Sequence, residues 1–133
     1  MNHIISKILN AISMIRGKIS EYQGKLIRDK DNSGYERWYF DGKLIHTKDS
    51  DGYEEWYDSN GRMIRKKYSD GLKEWYEYDE QGRLVHYKTS NGLEDWYDSK
   101  GNIIRRNHST GCVYCAEYDS NGNRINSKYL KET

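Results

Sequence analysis

Short apolar pairs and turn dipeptides alternate along most of this chain. A glycine, a polar residue and two positions that are mostly apolar recur as a string six times, at intervals of 18 to 21 residues. The glycines that open these strings are Gly24, Gly42, Gly61, Gly82, Gly101 and Gly122. Between neighbouring strings lies a second turn signal, such as Asp51-Gly52, and then an acidic, aromatic run that mostly ends in Trp-Tyr. The pattern predicts a mainly β chain, an antiparallel meander sheet of about five tandem β-hairpin repeats over residues 23–129.

Each predicted hairpin joins a basic strand A, which contains the apolar pair, to an acidic and aromatic strand B. If Asp51-Gly52 is a two-residue turn, His46 opposes Tyr57 across the hairpin. Positive φ is then expected at both residues of the equivalent turn, Asp70-Gly71. The same register predicts one Lys–carboxylate pair in each of three hairpins: Lys48–Glu55, Lys67–Glu74 and Lys88–Asp95.

The turns from strand B into the next strand A constrain this arrangement, because every tryptophan must stay on one face if the repeats are equivalent. Ser59-Asn60-Gly61 is expected to form a three-residue loop that places Trp56 opposite Ile64. One loop residue is missing in the preceding repeat, where Asp41-Gly42 is expected to form a two-residue turn that keeps Trp38 on the same face. A later repeat is longer by two residues, which preserves the alternation.

This register divides the predicted sheet into two faces. The Trp face carries the four tryptophans and four β-branched residues, namely Trp38, Trp56, Trp75, Trp96, Ile45, Ile64, Val85 and Ile104. The Tyr face carries Tyr39, the three Lys–carboxylate pairs and the candidate partner-binding residues, namely Tyr57, Tyr76, Tyr97, His46, Arg65, His86 and Arg105. We interpret the Trp face as core and the Tyr face as binding surface, because tyrosines have polar tips that tolerate water. The reverse assignment stays open, because apolar residues occur on both faces.

Ahead of the repeats, isoleucines at helical spacing predict one N-terminal amphipathic α-helix over residues 1–22. These isoleucines are Ile4, Ile8, Ile12, Ile15 and Ile19. We expect the helix to cover the Trp face of the first hairpins. A homodimer seam and a membrane surface are the alternatives, the latter with only three cations to meet anionic lipid: Lys7, Arg16 and Lys18. Residues 130–133 are expected to form a tail.

Composition narrows the function. Tyrosine supplies 13 residues, tryptophan 4 and phenylalanine 1, and the mean hydropathy of −1.14 predicts a thin core. Twenty-two basic and 21 acidic side chains leave a net charge of +1, too small for a protein that recognises nucleic acid mainly by charge. With 2 cysteines and no charged-then-apolar leader, we expect a cytoplasmic protein. Neither nucleic acid nor a membrane is the expected partner.

No arrangement of residues points to catalysis. Cys112 and Cys115 form a single C-x-x-C, which is two ligands short of a closed zinc site and points to opposite faces of a strand. We interpret these cysteines as structural, with a metal or redox role as the alternative. His46 and His86 lie two repeats apart, too far to share a metal or a proton. The Asp49-Ser-Asp-Gly string lacks the distant glutamate of a calcium loop and is interpreted as a turn cap. No enzyme activity, cofactor or metal site is predicted.

The motifs resemble two known kinds of repeat. Residues 77–84, Glu-Tyr-Asp-Glu-Gln-Gly-Arg-Leu, and residues 117–124 resemble the Tyr-Asp (YD) repeats of RHS proteins. The Asp-Gly-x-x-x-Trp-Tyr string is also similar to the MORN-like repeats of the YwqK-type antitoxin family, and together the resemblances cover residues 24–128. RHS repeats build shells and carbohydrate-contacting surfaces, whereas YwqK-type proteins are regarded as antitoxins. Short proteins of this appearance occur in phages and mobile elements, which implies an inhibitor of host defence such as an anti-CRISPR protein.

These observations lead to one main hypothesis and two alternatives. The main hypothesis is a non-catalytic protein-binding repeat module, a stoichiometric inhibitor whose aromatic and charged face binds a toxin or a host defence nuclease. A carbohydrate-binding repeat protein is the first alternative, because a flat aromatic ladder can stack on sugar rings. The second is a nucleic-acid-binding sheet that uses Arg65, His86 and Arg105 beside the tyrosines.

Overall fold

The computed structural model describes residues 25–131, which form one antiparallel sheet of eleven strands. Each strand pairs with its neighbours in sequence, so the chain crosses the sheet from one edge to the other. The strands are β1 (Leu26–Lys30), β2 (Glu36–Phe40), β3 (Lys43–Lys48), β4 (Glu54–Tyr57), β5 (Met63–Lys67), β6 (Lys73–Tyr78), β7 (Leu84–Thr89), β8 (Glu94–Tyr97), β9 (Ile103–Asn107), β10 (Cys112–Tyr118) and β11 (Arg124–Lys131). This order confirms the predicted antiparallel meander, with β11 continuing into the part predicted as a tail. The predicted helix over residues 1–22 lies outside the described residues.

The turns that follow the basic strands are three-residue loops, one residue longer than predicted. The N–H of Asp49 donates to the Tyr53 carbonyl at 3.0 Å, and the N–H of Gly52 donates to the Asp49 carbonyl at 3.3 Å. The Asp49 carboxylate also accepts hydrogen bonds from the N–H groups of Asp51 and Tyr53, at 2.9 and 2.8 Å. This side-chain cap stabilises the three-residue loop against the tighter turn.

The longer loop moves the cross-strand register by one residue. The observed opposite pairs are His46–Trp56, Lys48–Glu54, Lys67–Lys73 and Lys88–Glu94. The predicted pairs that they replace are wrong: His46–Tyr57, Lys48–Glu55, Lys67–Glu74 and Lys88–Asp95. Since successive residues of a strand point to opposite faces, a shift of one residue changes which side chains meet on each face.

The turns that lead into the basic strands have the predicted loops. Asp41 and Gly42 form a two-residue turn with positive φ at both residues, 54° and 77°. Ser59-Asn60-Gly61 is a three-residue loop, closed by a hydrogen bond of 3.0 Å from the N–H of its glycine to the Asp58 carbonyl. Among the described non-glycine residues, Asp41 alone has positive φ, so the positive φ predicted for Asp70 is wrong.

A β-bulge follows each of these turns, and it was not predicted. Tyr57 opposes Met63 as expected, but Trp56 opposes Arg65, so Ile64 is an extra residue on its strand and the predicted Trp56–Ile64 pair is wrong. The same shift leaves one extra β-branched residue in five hairpins: Ile45, Ile64, Val85, Ile104 and Ile125. The one-residue change of register at the three-residue loop and the one at the bulge cancel for the tryptophans, which therefore stay on one face. Together they bring the cations of the basic strands onto that same face.

The described residues form a single layer, and few of their side chains are buried. Those that are buried comprise Trp56, Val113 and Ala116 and the polar residues Thr47, Arg65, Thr89 and Asp95. The edge strands β1 and β11 are exposed along their whole length. Cross-strand side-chain pairs must therefore supply much of the stability of this sheet. Residues 25–131 contain no helix long and apolar enough to cross a membrane.

Candidate binding faces of the sheet

A stacked row of rings and cations runs along the first half of the Trp face. The imidazole of His46 lies between two indoles, with ring centroids 4.3 Å from Trp38 and 4.6 Å from Trp56. The Arg65 guanidinium continues the row, 4.5 Å from the centroid of Trp56 and 5.8 Å from that of Trp75. The rings are thereby packed against one another along the sheet, which leaves Trp56 only 2% exposed.

The row resumes in the second half after one interruption. His86 stacks on Trp96 at 5.0 Å, and the Arg105 guanidinium lies 5.1 Å from the centroid of the same indole. Between the two halves, Trp75 opposes Lys88, and Glu77 instead of a tryptophan opposes His86. The interruption coincides with the two additional residues of this repeat.

Acidic residues neighbour the cations of the Trp face. Glu54 accepts from His46 Nε2 at 3.0 Å and lies 3.7 Å from Lys67 Nζ. Burial lowers the pKa of His46, and the hydrogen bond to Glu54 partly offsets that effect. Burial also lowers the pKa of Arg65, whose Nε has no hydrogen-bond partner within the described structure. The guanidinium is therefore held chiefly by its contacts with the two indoles.

The structure separates the seven candidate partner-binding residues into two groups. His46, Arg65, His86 and Arg105 pair directly with tryptophans and lie on the Trp face. The prediction that these four share a face with the tyrosines is wrong, because it depended on the two-residue turn and on strands without a bulge. The remaining three, Tyr57, Tyr76 and Tyr97, lie together on the Tyr face.

Carboxylates on the Tyr face hold the tyrosine hydroxyls. Glu55 accepts hydrogen bonds from the hydroxyls of Tyr57 and, at 2.6 Å, Tyr53. Glu74 accepts from three hydroxyls, those of Tyr76 at 2.5 Å, Tyr87 at 2.9 Å and Tyr68 at 3.3 Å. Burial, together with the hydrogen bond to a carboxylate, raises the pKa of Tyr57 and of Tyr76, so both phenols remain hydrogen-bond donors at neutral pH.

Tyr97 belongs to a cluster built around a buried carboxylate. Asp95 is 2% exposed and accepts hydrogen bonds from both Nε and Nη2 of Arg106, each at 2.6 Å. The Tyr97 hydroxyl donates to the same carboxylate at 3.3 Å. This two-point contact with arginine is the geometry in which a guanidinium binds a carboxylate most strongly.

Three carboxylates of the Tyr face were predicted on that face as partners of lysines, but their hydrogen bonds with the tyrosine hydroxyls were not predicted. Glu55, Glu74 and Asp95 each stand two residues before a tyrosine, and residues two apart on a strand share a face. That spacing was available in the sequence as a signal. A shallow groove beside Tyr57 completes this part of the face, lined by Lys43, Leu44 and the loop 59–61.

The two cysteines are free thiols, both partly buried. Cys115 on β10 opposes Arg105 on β9. On the other side of β9, the same arginine is opposed by Trp96. Cys112 lies three residues away and opposes Lys131 on β11. No group of three or more potential metal ligands occurs within residues 25–131.

Comparisons with known proteins agree with the repeat pattern over part of the chain. No curated protein matches the sequence. Among solved structures, the crystal structure of the GtfA/B complex bound to UDP and GlcNAc matches with a TM-score of 0.31 and 12% identity, over 82% of this chain. This chain spans 24% of the length of that protein. The MORN-like resemblance and the phage context stay predictions. Residues 57–94 match the family described as RHS Repeat, and this part of the sheet is therefore an RHS-like, or YD-like, β-repeat.

Proposed function

We propose that this chain is a non-catalytic protein-binding repeat module that acts through its Tyr face. The observation that carries the proposal is the row of half-buried tyrosines whose hydroxyls are held by carboxylates of the same sheet. Tyrosine is enriched at the energetically important positions of protein interfaces, because it combines apolar area with a polar tip.

The hydrogen bonds to Glu55, Glu74 and Asp95 supply an advantage for binding. A side chain that is already held in one rotamer loses little conformational entropy when a partner arrives. The groove beside Tyr57 adds a concave feature next to one of the fixed rings. A rigid row of rings with an adjoining groove suits the surface of a folded protein.

The Trp face fits a structural role better than a binding role. Its indoles already contact imidazole and guanidinium groups of the same sheet, and Arg65 is only 7% exposed. A sugar ring would have to displace these contacts before it could stack on Trp56. A nucleic acid backbone would find Arg65 buried and the His86 ring engaged with Glu94 at 2.8 Å, which gives these two alternatives less support.

We further propose that the module acts as a stoichiometric inhibitor of the antitoxin or anti-defence type. A rigid surface with no catalytic constellation in its described part can alter a partner's activity only by occupying it. The resemblance to short MORN-like antitoxins supports the same class, as an analogy between proteins that share a repeat.

The test is capture of partners from the native host by the full chain, followed by direct affinity measurement with each captured protein. Replacing Tyr57, Tyr76 and Tyr97 by serine should abolish binding, because three pre-positioned rings are removed at once. The matched control replaces three exposed residues of the Trp face by serine, namely Lys48, Glu77 and Lys88, and should bind like the natural sequence.

Normal binding by the triple tyrosine variant, with loss of binding in the control, would place the interface on the Trp face and contradict the proposal. If no protein is captured, a positive glycan array would favour carbohydrate binding. An affinity for single-stranded nucleic acid that falls steeply with salt would favour the nucleic-acid alternative.

A further inference from the structure

The strands of the sheet alternate in charge, and both edges belong to the same class. Strands β3, β5, β7 and β9 are A strands with an acidic, aromatic B strand on each side. The edge strands β1 and β11 are also A strands, but each has a B strand on one side only. Each edge therefore has the side chains of an A strand and lacks one of its two usual neighbours.

The edge at β11 is long, exposed and basic. All eight of its residues are exposed, including three large apolar ones, Ile125, Tyr129 and Leu130, which are 66%, 69% and 47% exposed. It carries Arg124, Lys128 and Lys131 and no acidic residue. Within residues 25–131, neither of these lysines has a carboxylate within ion-pair distance, whereas Lys67 of β5 reaches Glu54 at 3.7 Å.

Two of the four inner A strands, β3 and β7, pair with the next strand in the same way. In the other two, Lys67 opposes Lys73 and Arg105 opposes Cys115. In the β7–β8 pair, Trp96 opposes His86 and Glu94 opposes Lys88. In the β3–β4 pair, Trp56 opposes His46 and Glu54 opposes Lys48, which is the same arrangement. In both cases the tryptophan opposes the residue that follows the bulge, and the glutamate opposes the lysine two positions later.

Applied to β11, the arrangement shared by β3 and β7 specifies the missing neighbour. The bulge residue is Ile125, so Asn126 takes the place of His86, and Lys128 takes the place of Lys88. An incoming antiparallel strand should therefore place an acidic residue opposite Lys128 and an aromatic residue opposite Asn126. Backbone groups on the outer side of β11 would supply the hydrogen bonds.

From this arrangement we infer that the outer edge of β11 binds an extended, acidic segment of another protein that carries an aromatic residue, as a twelfth antiparallel strand. A second copy of this chain fits the edge poorly, because pairing β11 with itself or with β1 would bring two basic strands together. The inference goes beyond the Tyr-face proposal and does not depend on it.

The experiment uses the full chain labelled with ¹⁵N and a capped peptide with the sequence of residues 91–99, Asn-Gly-Leu-Glu-Asp-Trp-Tyr-Asp-Ser. Addition of the peptide should shift the amide signals of β11 and slow hydrogen exchange at its outward N–H groups. Replacing Lys128 by glutamate should weaken binding severalfold, since the attractive pair with the peptide's glutamate becomes repulsive. Lys30→Glu on the opposite edge is the matched control and should leave the β11 shifts unchanged.

A changed peptide and a changed protein test whether binding depends on the charge of the peptide and on the β11 edge. A peptide whose three acidic residues are replaced by lysine should not bind at β11. The triple tyrosine variant should bind the original peptide normally, which separates this edge from the Tyr face.

Three outcomes would overturn the inference. Shifts confined to the tyrosines or to β1 would place the peptide elsewhere. Sedimentation of the chain as a dimer that Lys128→Glu changes would show that the edge meets a second copy. No shift at millimolar peptide would show that the edge lysines keep strands away, as lysines on exposed edges commonly do.

Discussion

On the Trp face the aromatic rings are held by their flat surfaces, whereas on the Tyr face they are held by their tips. Trp56 lies between the imidazole of His46 and the guanidinium of Arg65. Tyr76 is tethered through its hydroxyl to Glu74. In the first arrangement the contact covers the ring itself, whereas in the second the tether is at the hydroxyl and one neighbouring ring, that of Tyr87, lies 5.2 Å away.

The difference shows how a single-layer sheet can be stabilised without a second layer that covers either face. Stacking with cations buries apolar area on one face, so that face can serve as the structural side. Hydrogen bonds to carboxylates order the rings of the other face by their hydroxyls, so that face can meet a partner. We therefore expect that truncating a side chain of the Trp face mainly lowers the stability of the sheet. Truncating a tyrosine of the Tyr face should mainly lower its affinity for a partner.

The largest effect is expected for Trp56→Ala. The indole is 2% exposed and contacts two neighbouring side chains, so its removal should lower the free energy of unfolding by about 3–5 kcal/mol. Urea denaturation followed by circular dichroism measures this change. Trp56→Phe keeps a ring at the position and should lose clearly less, while equal losses for the two variants would argue against stacking as the cause.

A smaller loss is expected for Asp95→Ala on the Tyr face. The substitution removes the carboxylate that accepts two hydrogen bonds from Arg106 and one from Tyr97, and should cost about 2–3 kcal/mol. The same denaturation measurement applies, with Glu117→Ala as an exposed control from strand β10. A loss larger than that of Trp56→Ala would reverse the assignment of the structural face.

The hairpin turns allow a test that is independent of both faces. Gly71 has a φ of 91°, and a side chain placed there would meet no neighbouring atom within 4 Å. Gly71→Val should therefore cost about 1–2 kcal/mol through backbone strain alone. Thermal unfolding should show a clear drop for this variant and a smaller one for His86→Ala, and equal drops would contradict the turn assignment.

The smallest expected effect is a pH dependence centred on His46. The pKa of its imidazole is lower in the folded sheet than its ordinary value of 6.5, so the unfolded chain binds the proton more readily. Stability from this group is therefore present above that ordinary value and is lost as pH falls through it and towards the folded pKa.

Comparing unfolding at about pH 7.5 and about pH 5.5 for the natural sequence and for His46→Phe isolates the effect. Phenylalanine keeps a ring between the two indoles and cannot titrate, so its stability should fall less over this interval. An equal fall in both proteins would remove His46 as the source.

Strand content and strand order could be predicted because they depend on local signals. Glycine turns recur every 18 to 21 residues, and each interval holds two short strands. The loop of Ser59-Asn60-Gly61 and the tighter Asp41-Gly42 turn were also correct, since the number of turn residues is visible in the sequence. The location of all tryptophans on one face was expected from the equivalence of the repeats, and it is correct because the shifts at the loop and at the bulge cancel.

The register could not be predicted from turn dipeptides alone. Asp51-Gly52 can close a two-residue turn or end a three-residue loop, and the choice depends on the hydrogen bonds of Asp49. A closer comparison would have helped, because Asp49-Ser-Asp-Gly and Asp58-Ser-Asn-Gly are nearly the same string and form the same loop. The bulge at Ile64 has no comparable signal, because an extra β-branched residue resembles any other strand residue.

The neighbours of the His46 ring decide most directly whether the two faces are divided as described. Nuclear Overhauser measurements on the full chain can detect protons of other rings within about 5 Å, the range of the centroid separations found here. The account predicts contacts from the His46 ring to both Trp38 and Trp56. Contacts from that ring to Tyr57 instead would restore the cations to the Tyr face and contradict the division between a structural face and a binding face.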